Sequence, residues 1–303
     1  MQLLDSVDEP RIAELRQAGH FFWLDLVAPP ADAIRRAGEV FGWHELAIED
    51  TLHFGQRPKL DEYGERVLIV FYGAHDSDLV EVHVHVSGQE VVTIRRAPCA
   101  HLWEARERAA TARVRTEQDL VYRVLDALAD SLRALADRYA AEVEHLEEIA
   151  FERPKPADRR RMSELRSDLF RLQQIVVPQR EMLGRGGDLL ETLPGLERDV
   201  ARHPFRDVHD DLVVTANEID YLRELLTEAV NVLINQMAGR LTIVATIFLP
   251  LTFATGFFGM NFGWLVDHIS SAEPFLILGV GGMILPLIIA AVLLLRAGYV
   301  RGR

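Results

Sequence analysis

The sequence predicts an α+β domain followed by long helices, the last two of which are apolar enough to span a membrane. Three observations support this fold class: short runs rich in Val, Ile and Phe near the start, helical apolar spacing from residue 116 onward, and two uncharged apolar runs near the end. We therefore expect seven segments: an α/β domain at 1–115, a helical hairpin at 116–203, a stalk helix at 204–240, a first span at 241–258, a loop at 259–274, a second span at 275–295 and a basic tail at 296–303.

The α/β domain is predicted from four apolar runs that are bounded by Gly, Pro or Asp, as strands commonly are. These runs are 20–29, 66–73, 79–86 and 91–96, and short helices are expected at 31–41 and 45–54. His83 and His85 alternate with valines, so both imidazoles share one strand face. Two such ligands could contribute to a zinc site, but they are too few for four-fold coordination. A solvated polar face is therefore the favoured interpretation.

The long helices are predicted from apolar spacing over 116–150 and 158–183. Pro154 and Pro156 interrupt this pattern and divide it into a helical hairpin. A third long helix should begin near Pro204 and continue into the first apolar run.

The two apolar runs, Leu241–Phe258 and Phe275–Leu295, contain no charged residue. A spanning helix needs roughly 20 apolar residues, so each run fits one crossing of a bilayer. Arginines flank both runs on their outer ends, whereas the loop 259–274 has no Lys or Arg. By the positive-inside rule, both chain ends lie in the cytoplasm and the loop lies outside.

The charge distribution excludes several functions. The net charge is −13, and only Asp267 and Glu273 of the 46 acidic residues follow position 240. Such an acidic region repels phosphate, so no nucleic-acid partner is expected. The single cysteine, Cys99, excludes an internal disulfide. The chain has no phosphate-cradling glycine loop and no nucleophile motif, so neither an enzyme nor an ATP-driven pump is expected.

One face of the first span carries small or polar residues at a seven-residue repeat, which places them along one helix stripe. The stripe consists of Asn235, Ala238, Thr242, Ala245, Leu249, Thr252, Gly256 and Gly259. Small residues of this kind pack helices together in membranes, and they could equally line a pore in a ring of identical subunits. The stripe alone does not decide between these interpretations. A pore would require an oligomer, because two spans cannot enclose an aqueous pathway.

The motif Gly259-Met260-Asn261 follows the first span directly. The glycines Gly256 and Gly259 permit a sharp turn of the backbone there. Asn261 offers an amide oxygen without net charge, and a ring of such oxygens could accept hydrogen bonds from the waters of a cation. Mg²⁺ suits this arrangement because it gives up its waters reluctantly.

The first span and the motif that follows it resemble those of a known family. The stretch IFLPLTFATGFFGMNF (247–262), followed by a second span and a short basic tail, is similar to the CorA family of divalent-cation (magnesium) transporters. The resemblance covers most of the chain and includes four upstream stretches: IED at 48–50, QRPK at 56–59, LEEIAFERP at 146–154 and FRDVHD at 205–210.

The resemblance implies a funnel-shaped homopentamer in the cell (inner) membrane, with the α/β domain in the cytosol and the second span in an outer ring. It implies Mg²⁺ influx, with Co²⁺ and Ni²⁺ as further ions of the family, and a selectivity filter formed by Gly259, Met260 and Asn261. By matching position, the pore-lining residues are Asn235, Ala238, Thr242, Leu249, Thr252 and Gly256. Regulatory Mg²⁺ would bind Asp76 and Asp207 between neighbouring cytosolic domains and inhibit transport when internal Mg²⁺ is high.

Two alternatives remain, and departures from the family pattern keep the first of them open. Ala238 and Leu249 replace methionines, the loop 263–267 lacks the usual acidic pattern, and the stretch from Asp207 to Asn235 is about seven residues shorter than usual, roughly two helical turns. The first alternative is a Zn²⁺ transporter of the ZntB branch, with proton coupling. The second is a non-conducting membrane-anchored regulator, which the intact Gly259-Met260-Asn261 motif argues against.

Overall fold

The structure, a computed structural model, describes residues 1–111, 114, 117–152, 154–190, 204–260, 263–268 and 271–296. The chain divides into two compact units. The N-terminal unit comprises Met1–Ile149 and Arg153–Thr227, and the C-terminal unit comprises Ala150–Glu152 and Glu228–Arg303.

A six-stranded mixed sheet forms the centre of the N-terminal unit, with the order β1-β2-β6-β5-β4-β3. The first three strands of that order run parallel, and the other neighbours pair antiparallel. The strands are β1 (Gln2–Leu4), β2 (Phe22–Val27), β3 (Lys59–Tyr63), β4 (Arg66–His75), β5 (Asp78–Val86) and β6 (Glu90–Arg95). The four predicted strands correspond to β2, β4, β5 and β6.

The two unpredicted strands, β1 and β3, are the edges of the sheet. β1 has only three residues. β3 reads KLDEY, so charged residues replace the apolar alternation that marks a strand. Its extended conformation comes from pairing with β4, and charged side chains are typical of edge strands.

Four short helices belong to the N-terminal unit: α1 (Glu9–Gln17), α2 (Ala31–Phe41), α3 (Glu45–Leu52) and α4 (Ala100–Thr111). The first three pack on β2 and β6 through one apolar cluster that includes Ile12, Ile34, Ala47, Leu24 and Ile94. Every member of this group is buried. Helices α2 and α3 correspond to the helices predicted at 31–41 and 45–54, whereas α1 and α4 were not predicted.

Three long helices follow: α5 (Glu117–Phe151), α6 (Pro156–Leu190) and α7 (Pro204–Phe258). α5 lies close to β4 at Gly73, where an added Cβ would stand 2.7 Å from both Leu128 and Ser131 side chains. The Ser131 hydroxyl accepts a hydrogen bond from the Ala74 amide over 2.7 Å. Proline at the start of α6 and α7 is favourable, because the first helical N–H has no partner within the helix.

The C-terminal unit contains the second part of α7, which continues through Pro250 to Phe258. It also contains α8 (Gly263–His268), α9 (Ala272–Pro274), a π-helical segment (Phe275–Val280) and α10 (Gly281–Arg296). Among the described residues, α7 is long and apolar enough to cross a membrane, and Gly281–Val292 is a shorter apolar helix. The predicted second span thus corresponds to the π-helical segment together with α10.

Candidate functional site

The apolar half of α7 carries the predicted pore-lining residues, and all of them are exposed in the single chain. They are Asn235, Ala238, Thr242, Leu249, Thr252 and Gly256. Bulky residues elsewhere on the helix are exposed as well, including Leu241 (71%), Phe248 (63%) and Phe253 (74%). An apolar surface of this extent is a contact surface for lipid or for other protein rather than for water.

Two threonines on the small-residue stripe donate their hydroxyl hydrogens within the helix. The Thr242 hydroxyl donates to the Ala238 carbonyl over 2.9 Å, and the Thr252 hydroxyl donates to the Phe248 carbonyl over 2.8 Å. Because each hydroxyl has only one hydrogen, both oxygens can only accept further hydrogen bonds. The stripe therefore presents acceptors, which suit the water shell of a cation.

Gly259, the glycine of the predicted filter, lies directly after the last residue of α7. The helix continues through Gly256 and ends at Phe258, so the turn begins at Gly259 rather than at Gly256. The Gly259 amide donates to the Thr255 carbonyl over 2.9 Å, and a Cβ at Gly259 would lie 3.0 Å from that same oxygen. A side chain at this position would thus crowd the last helical turn. Met260 is exposed, and Asn261 lies outside the described residues.

Asp76, the first predicted regulatory residue, lies in the tight turn between β4 and β5. It is exposed and has a left-handed backbone with φ of 52°, a conformation that Asp tolerates better than most residues. The Arg138 guanidinium of α5 donates to the Asp76 carbonyl oxygen. The turn is thereby fixed to α5, and its carboxylate remains at the surface.

Asp207, the second predicted regulatory residue, lies in the first turn of α7 and is exposed. It is close enough to α5 to affect Tyr122. Burial raises the pKa of Tyr122 to about 12, and the negative charges of Asp126 and Asp207 add to the effect. Asp207 therefore faces the beginning of α5.

Asp76 and Asp207 do not meet within one chain. Asp76 contacts α5 at Arg138, whereas Asp207 faces α5 at Tyr122. These positions are separated by 16 residues, which is about 24 Å along a helix that rises about 1.5 Å per residue. A single ion cannot reach both carboxylates in one chain, so sharing an ion would require two copies.

Around Asp207 the structure shows a larger acidic face that was not predicted from the sequence. Its members lie on one side of α5 and α7 at helical spacing: Asp126, Asp130, Asp137, Asp207, Asp211 and Glu218. Burial raises the pKa of Asp126, and the charges of Asp130 and Asp211 raise it further. Burial and Asp137 raise the pKa of Glu218 in the same way. The spacing of acids by four and seven residues was the available signal.

This acidic face has little internal compensation. Arg133 lies 3.4 Å from Asp211, and both side chains are partly exposed, so the pair contributes little to stability. In the parts of the chain that are described, no group of three His, Cys, Asp or Glu could hold a metal ion by itself. The face is an electrostatic attractor for cations rather than a preformed site.

The prediction of a solvated face for His83 and His85 is wrong. Both are buried, at 0% and 6% exposure, because Phe54 and α3 cover this face of β5: Phe54 stacks on His83, and Thr51 of α3 lies 2.9 Å from His85. His83 lies 2.8 Å from Glu81, and His85 stacks on Trp43 with centroids 3.6 Å apart. Burial lowers the pKa of His85 well below its usual value. These imidazoles pack the interior.

The upstream stretches IED and QRPK build the connection from α3 to β3. Lys59 donates to the Asp50 carboxylate over 2.6 Å, and the Tyr63 hydroxyl donates to the same oxygen over 3.1 Å. The Gln56 side chain donates to the His53 carbonyl over 2.6 Å. Their role is therefore structural in the N-terminal unit.

The chain is similar in sequence to known transporters of divalent cations. A family model described as "CorA-like Mg2+ transporter protein" matches residues 18–296. The cobalt/magnesium transport protein CorA of Thermotoga maritima is 28% identical over 86% of this chain and 79% of its own length. The zinc transport protein ZntB of Yersinia enterocolitica is 25% identical over 71% of this chain and 69% of its own length.

Among solved structures, the CorA magnesium transporter of Methanocaldococcus jannaschii superposes with a TM-score of 0.67 at 19% identity. The match covers 92% of this chain and 91% of that one. At this identity the likeness concerns the fold, which combines a mixed sheet with a long helix.

Proposed function

The chain belongs to the CorA-like Mg²⁺ transporter family, and from that premise we propose that it is a channel for Mg²⁺ influx. An inside-negative potential favours the entry of each charge by about 2.3 kcal/mol per 100 mV, and a divalent ion gains twice that amount. Transport therefore needs no coupled hydrolysis.

The observation that carries this proposal is the acceptor stripe on α7. Thr242 and Thr252 use their hydroxyl hydrogens within the helix and leave oxygen lone pairs on the exposed face. A hydrated Mg²⁺ presents hydrogens outward, and it keeps several of its waters when bound. Thr oxygens and small neighbours thus fit a passage for a hydrated cation better than a dry helix contact.

The proposed channel is a homopentamer in the cell (inner) membrane, with both chain ends in the cytoplasm. One α7 cannot enclose a pathway, so its exposed stripe needs copies of itself arranged around an axis. The bulky exposed residues, such as Phe248 and Phe253, would face α10 of the outer ring and lipid. At the outer mouth, Gly259, Met260 and Asn261 would form the filter.

Regulation is proposed to use Asp76 and Asp207 from neighbouring subunits. The separation of these residues within one chain supports an ion bridge between copies, and the acidic face around Asp207 would attract the ion. Without Mg²⁺, like charges repel across the interface; with Mg²⁺, the ring is held closed. Internal Mg²⁺ would therefore inhibit its own entry.

Flux into liposomes tests this proposal. The purified full chain is reconstituted, and uptake of Mg²⁺ and of Zn²⁺ is measured with and without a pH gradient. We expect Mg²⁺ uptake that is insensitive to the gradient and is abolished by Asn261→Ala while the assembly stays intact. Normal uptake in Asn261→Ala would refute the role of Asn261 as the filter.

A second candidate, a proton-coupled Zn²⁺ transporter, is favoured by the ZntB relative and by the unusual loop after Asn261. It predicts Zn²⁺ uptake that a pH gradient accelerates. The absence of flux for both ions would instead support a non-conducting regulator.

A further inference from the structure

The tip of the β4–β5 hairpin is attached to one face of α5 by two hydrogen bonds, which follow the close approach of the two elements at Gly73. The Ser131 hydroxyl accepts from the Ala74 amide over 2.7 Å. At the tip itself, the Arg138 guanidinium donates to the Asp76 carbonyl oxygen. We call the side of α5 that carries Ser131 and Arg138 the hairpin face. Because of these bonds, the hairpin tip moves together with α5.

Arg138 fixes a turn whose backbone conformation is unusual for a residue other than glycine. His75 pairs with Asp78, so Asp76 and one further residue form the whole connection between the strands. Two-residue connections of this kind need a positive φ, and Asp76 has a φ of 52°. A residue in this region is held there by the contacts around it. The bond from Arg138 is such a contact, and it sets the position of the turn on α5.

The side of α5 away from the hairpin face meets the beginning of α7. At about 100° per residue, Tyr122 and Arg133 lie about 140–180° around the helix from the hairpin face. Burial and nearby negative charges, among them that of Asp207, raise the pKa of Tyr122. Arg133 lies 3.4 Å from Asp211 of α7. Helix α5 therefore lies between the Asp76 turn and the acidic start of α7.

The helix that joins these two acidic positions is built to be stiff. It runs for 35 residues from Glu117 to Phe151 and contains neither Gly nor Pro, the residues at which helices most often bend. Leu125, Leu128 and Leu132 are fully buried along its length. A rigid element of this kind can carry a displacement from one end to the other.

In a closed ring of identical subunits, each chain has two different neighbours. Each chain would then present Asp76 to one neighbour and Asp207 to the other, an arrangement that rests on the regulation described under the proposed function. The two interfaces of one subunit are then connected through α5. An ion bound at one interface can influence the next interface only if α5 is attached to both acidic positions.

We propose that Arg138 couples neighbouring Mg²⁺ bridges around the ring. An ion bound at Asp76 fixes the hairpin tip, Arg138 transmits this order to α5, and α5 holds Asp207 in place for the next bridge. Each bound ion thus favours binding of the next one, which makes the response to internal Mg²⁺ cooperative. Arg138 does not touch the ion and is a positioning residue.

A purely electrostatic role for Arg138 predicts a change of opposite sign. A positive charge beside Asp76 repels Mg²⁺, so removing this charge alone would strengthen ion binding. Removing the hydrogen bond that holds the turn on α5 would instead weaken ion binding, because the turn would have to be ordered when the ion binds. The direction of the change therefore separates the two roles.

Hydrogen exchange of the purified full chain in detergent, measured by mass spectrometry over a range of Mg²⁺ concentrations, tests this coupling. Peptides that contain Asp76 and Asp207 report on the two ends of the bridge. We expect both to gain protection with the same midpoint and with a Hill coefficient above 1. Arg138→Gln should raise the midpoint about fivefold or more, the lower end of common allosteric couplings, and should lower the Hill coefficient to about 1.

Four controls separate positioning from a general structural effect. Arg138→Lys should restore part of the cooperativity, because an ammonium group still donates to a carbonyl. Arg159→Gln changes an exposed arginine on α6 and should leave both curves unchanged. In an Asp207→Asn background, Arg138→Gln should have little further effect, because the bridge is already broken. Without Mg²⁺, Arg138→Gln should lower the thermal midpoint by no more than about 4 °C, as expected for one exposed hydrogen bond.

Any of four results would overturn the coupling role of Arg138: no protection by Mg²⁺ in the parent chain, a parent Hill coefficient of about 1, an Arg138→Gln curve equal to that of the parent, or a lower midpoint in Arg138→Gln. The assay measures no flux, so cooperative protection without transport would refute the channel and leave the coupling intact.

Discussion

Glu117, the first residue of α5, provides a test of how the N-terminal unit responds to pH. It is 2% exposed, and one of its carboxylate oxygens accepts a hydrogen bond from the Ser87 amide over 2.9 Å. The other oxygen has no partner among the described residues. Burial raises the pKa of Glu117 to about 7, and the nearby Glu90 adds to this effect.

The sign and size of the effect follow from linkage. The folded chain binds this proton more tightly than the unfolded chain, for which the ordinary pKa is 4.5. Stability is therefore lost as the pH rises from about 4.5 to about 7. Since one unit of pKa is worth about 1.4 kcal/mol, the ionised carboxylate costs the folded state about 3 kcal/mol above pH 7.

The substitution Glu117→Gln should remove this cost, because the amide oxygen still accepts from Ser87 and carries no charge. We expect the variant to equal the parent chain near pH 5 and to exceed it by up to about 3 kcal/mol near pH 8. For a unit of this size, 1 kcal/mol shifts the unfolding midpoint by about 2–4 °C. The predicted gain is about 6–12 °C.

The assay is thermal unfolding of the full chain in detergent, followed by the fluorescence of the buried Trp23 and Trp43. The control is Glu144→Gln, which changes an exposed carboxylate on the same helix and should give the same midpoint as the parent chain at both pH values. A Glu117→Gln midpoint that does not rise between pH 5 and pH 8, relative to the parent, would refute the reasoning.

Three further predictions concern the pore, the regulation and the core. Thr252→Val should reduce Mg²⁺ flux in liposomes several-fold, whereas Thr246→Val, which loses the same kind of intrahelical hydrogen bond off the stripe, should leave it nearly unchanged; equal effects would contradict an acceptor-lined pore. Asp207→Ala should raise the internal Mg²⁺ concentration needed for half-inhibition of flux, and an unchanged value would remove Asp207 from the sensor. Asp25→Ala should destabilise the N-terminal unit by about 3–5 kcal/mol in thermal unfolding, because it leaves the buried Arg95 without its carboxylate; a loss below about 1 kcal/mol would show that the pair is dispensable.

Much of the architecture could be predicted from local sequence patterns. The apolar runs and the prolines located the starts of α5, α6 and α7 within a few residues, since helix periodicity and helix starts are local properties; the predicted end of α6, at 183, falls seven residues before Leu190. The interior strands were found for the same reason. β1 and β3 were missed because a three-residue strand and a charged strand carry no local signal, and partner strands impose their conformation.

In the candidate site, too, some features could be predicted from the sequence and others required the structure. The stripe on α7 follows from spacing alone, because residues seven apart on a helix share a face whatever surrounds them. The directions of the Thr242 and Thr252 hydroxyls needed coordinates, since a threonine hydroxyl in a helix has more than one available orientation.

By itself, the sequence determined the family, the long apolar helix, the small-residue stripe and the acidic character of the N-terminal region, because each is encoded in composition or in periodic spacing. Only the tertiary structure decided that His83 and His85 are interior, and that Asp76 and Asp207 face α5 at two positions 16 residues apart, Arg138 and Tyr122. These properties depend on which distant segments pack together, and that packing is set by the free energy of the whole fold rather than by any local stretch.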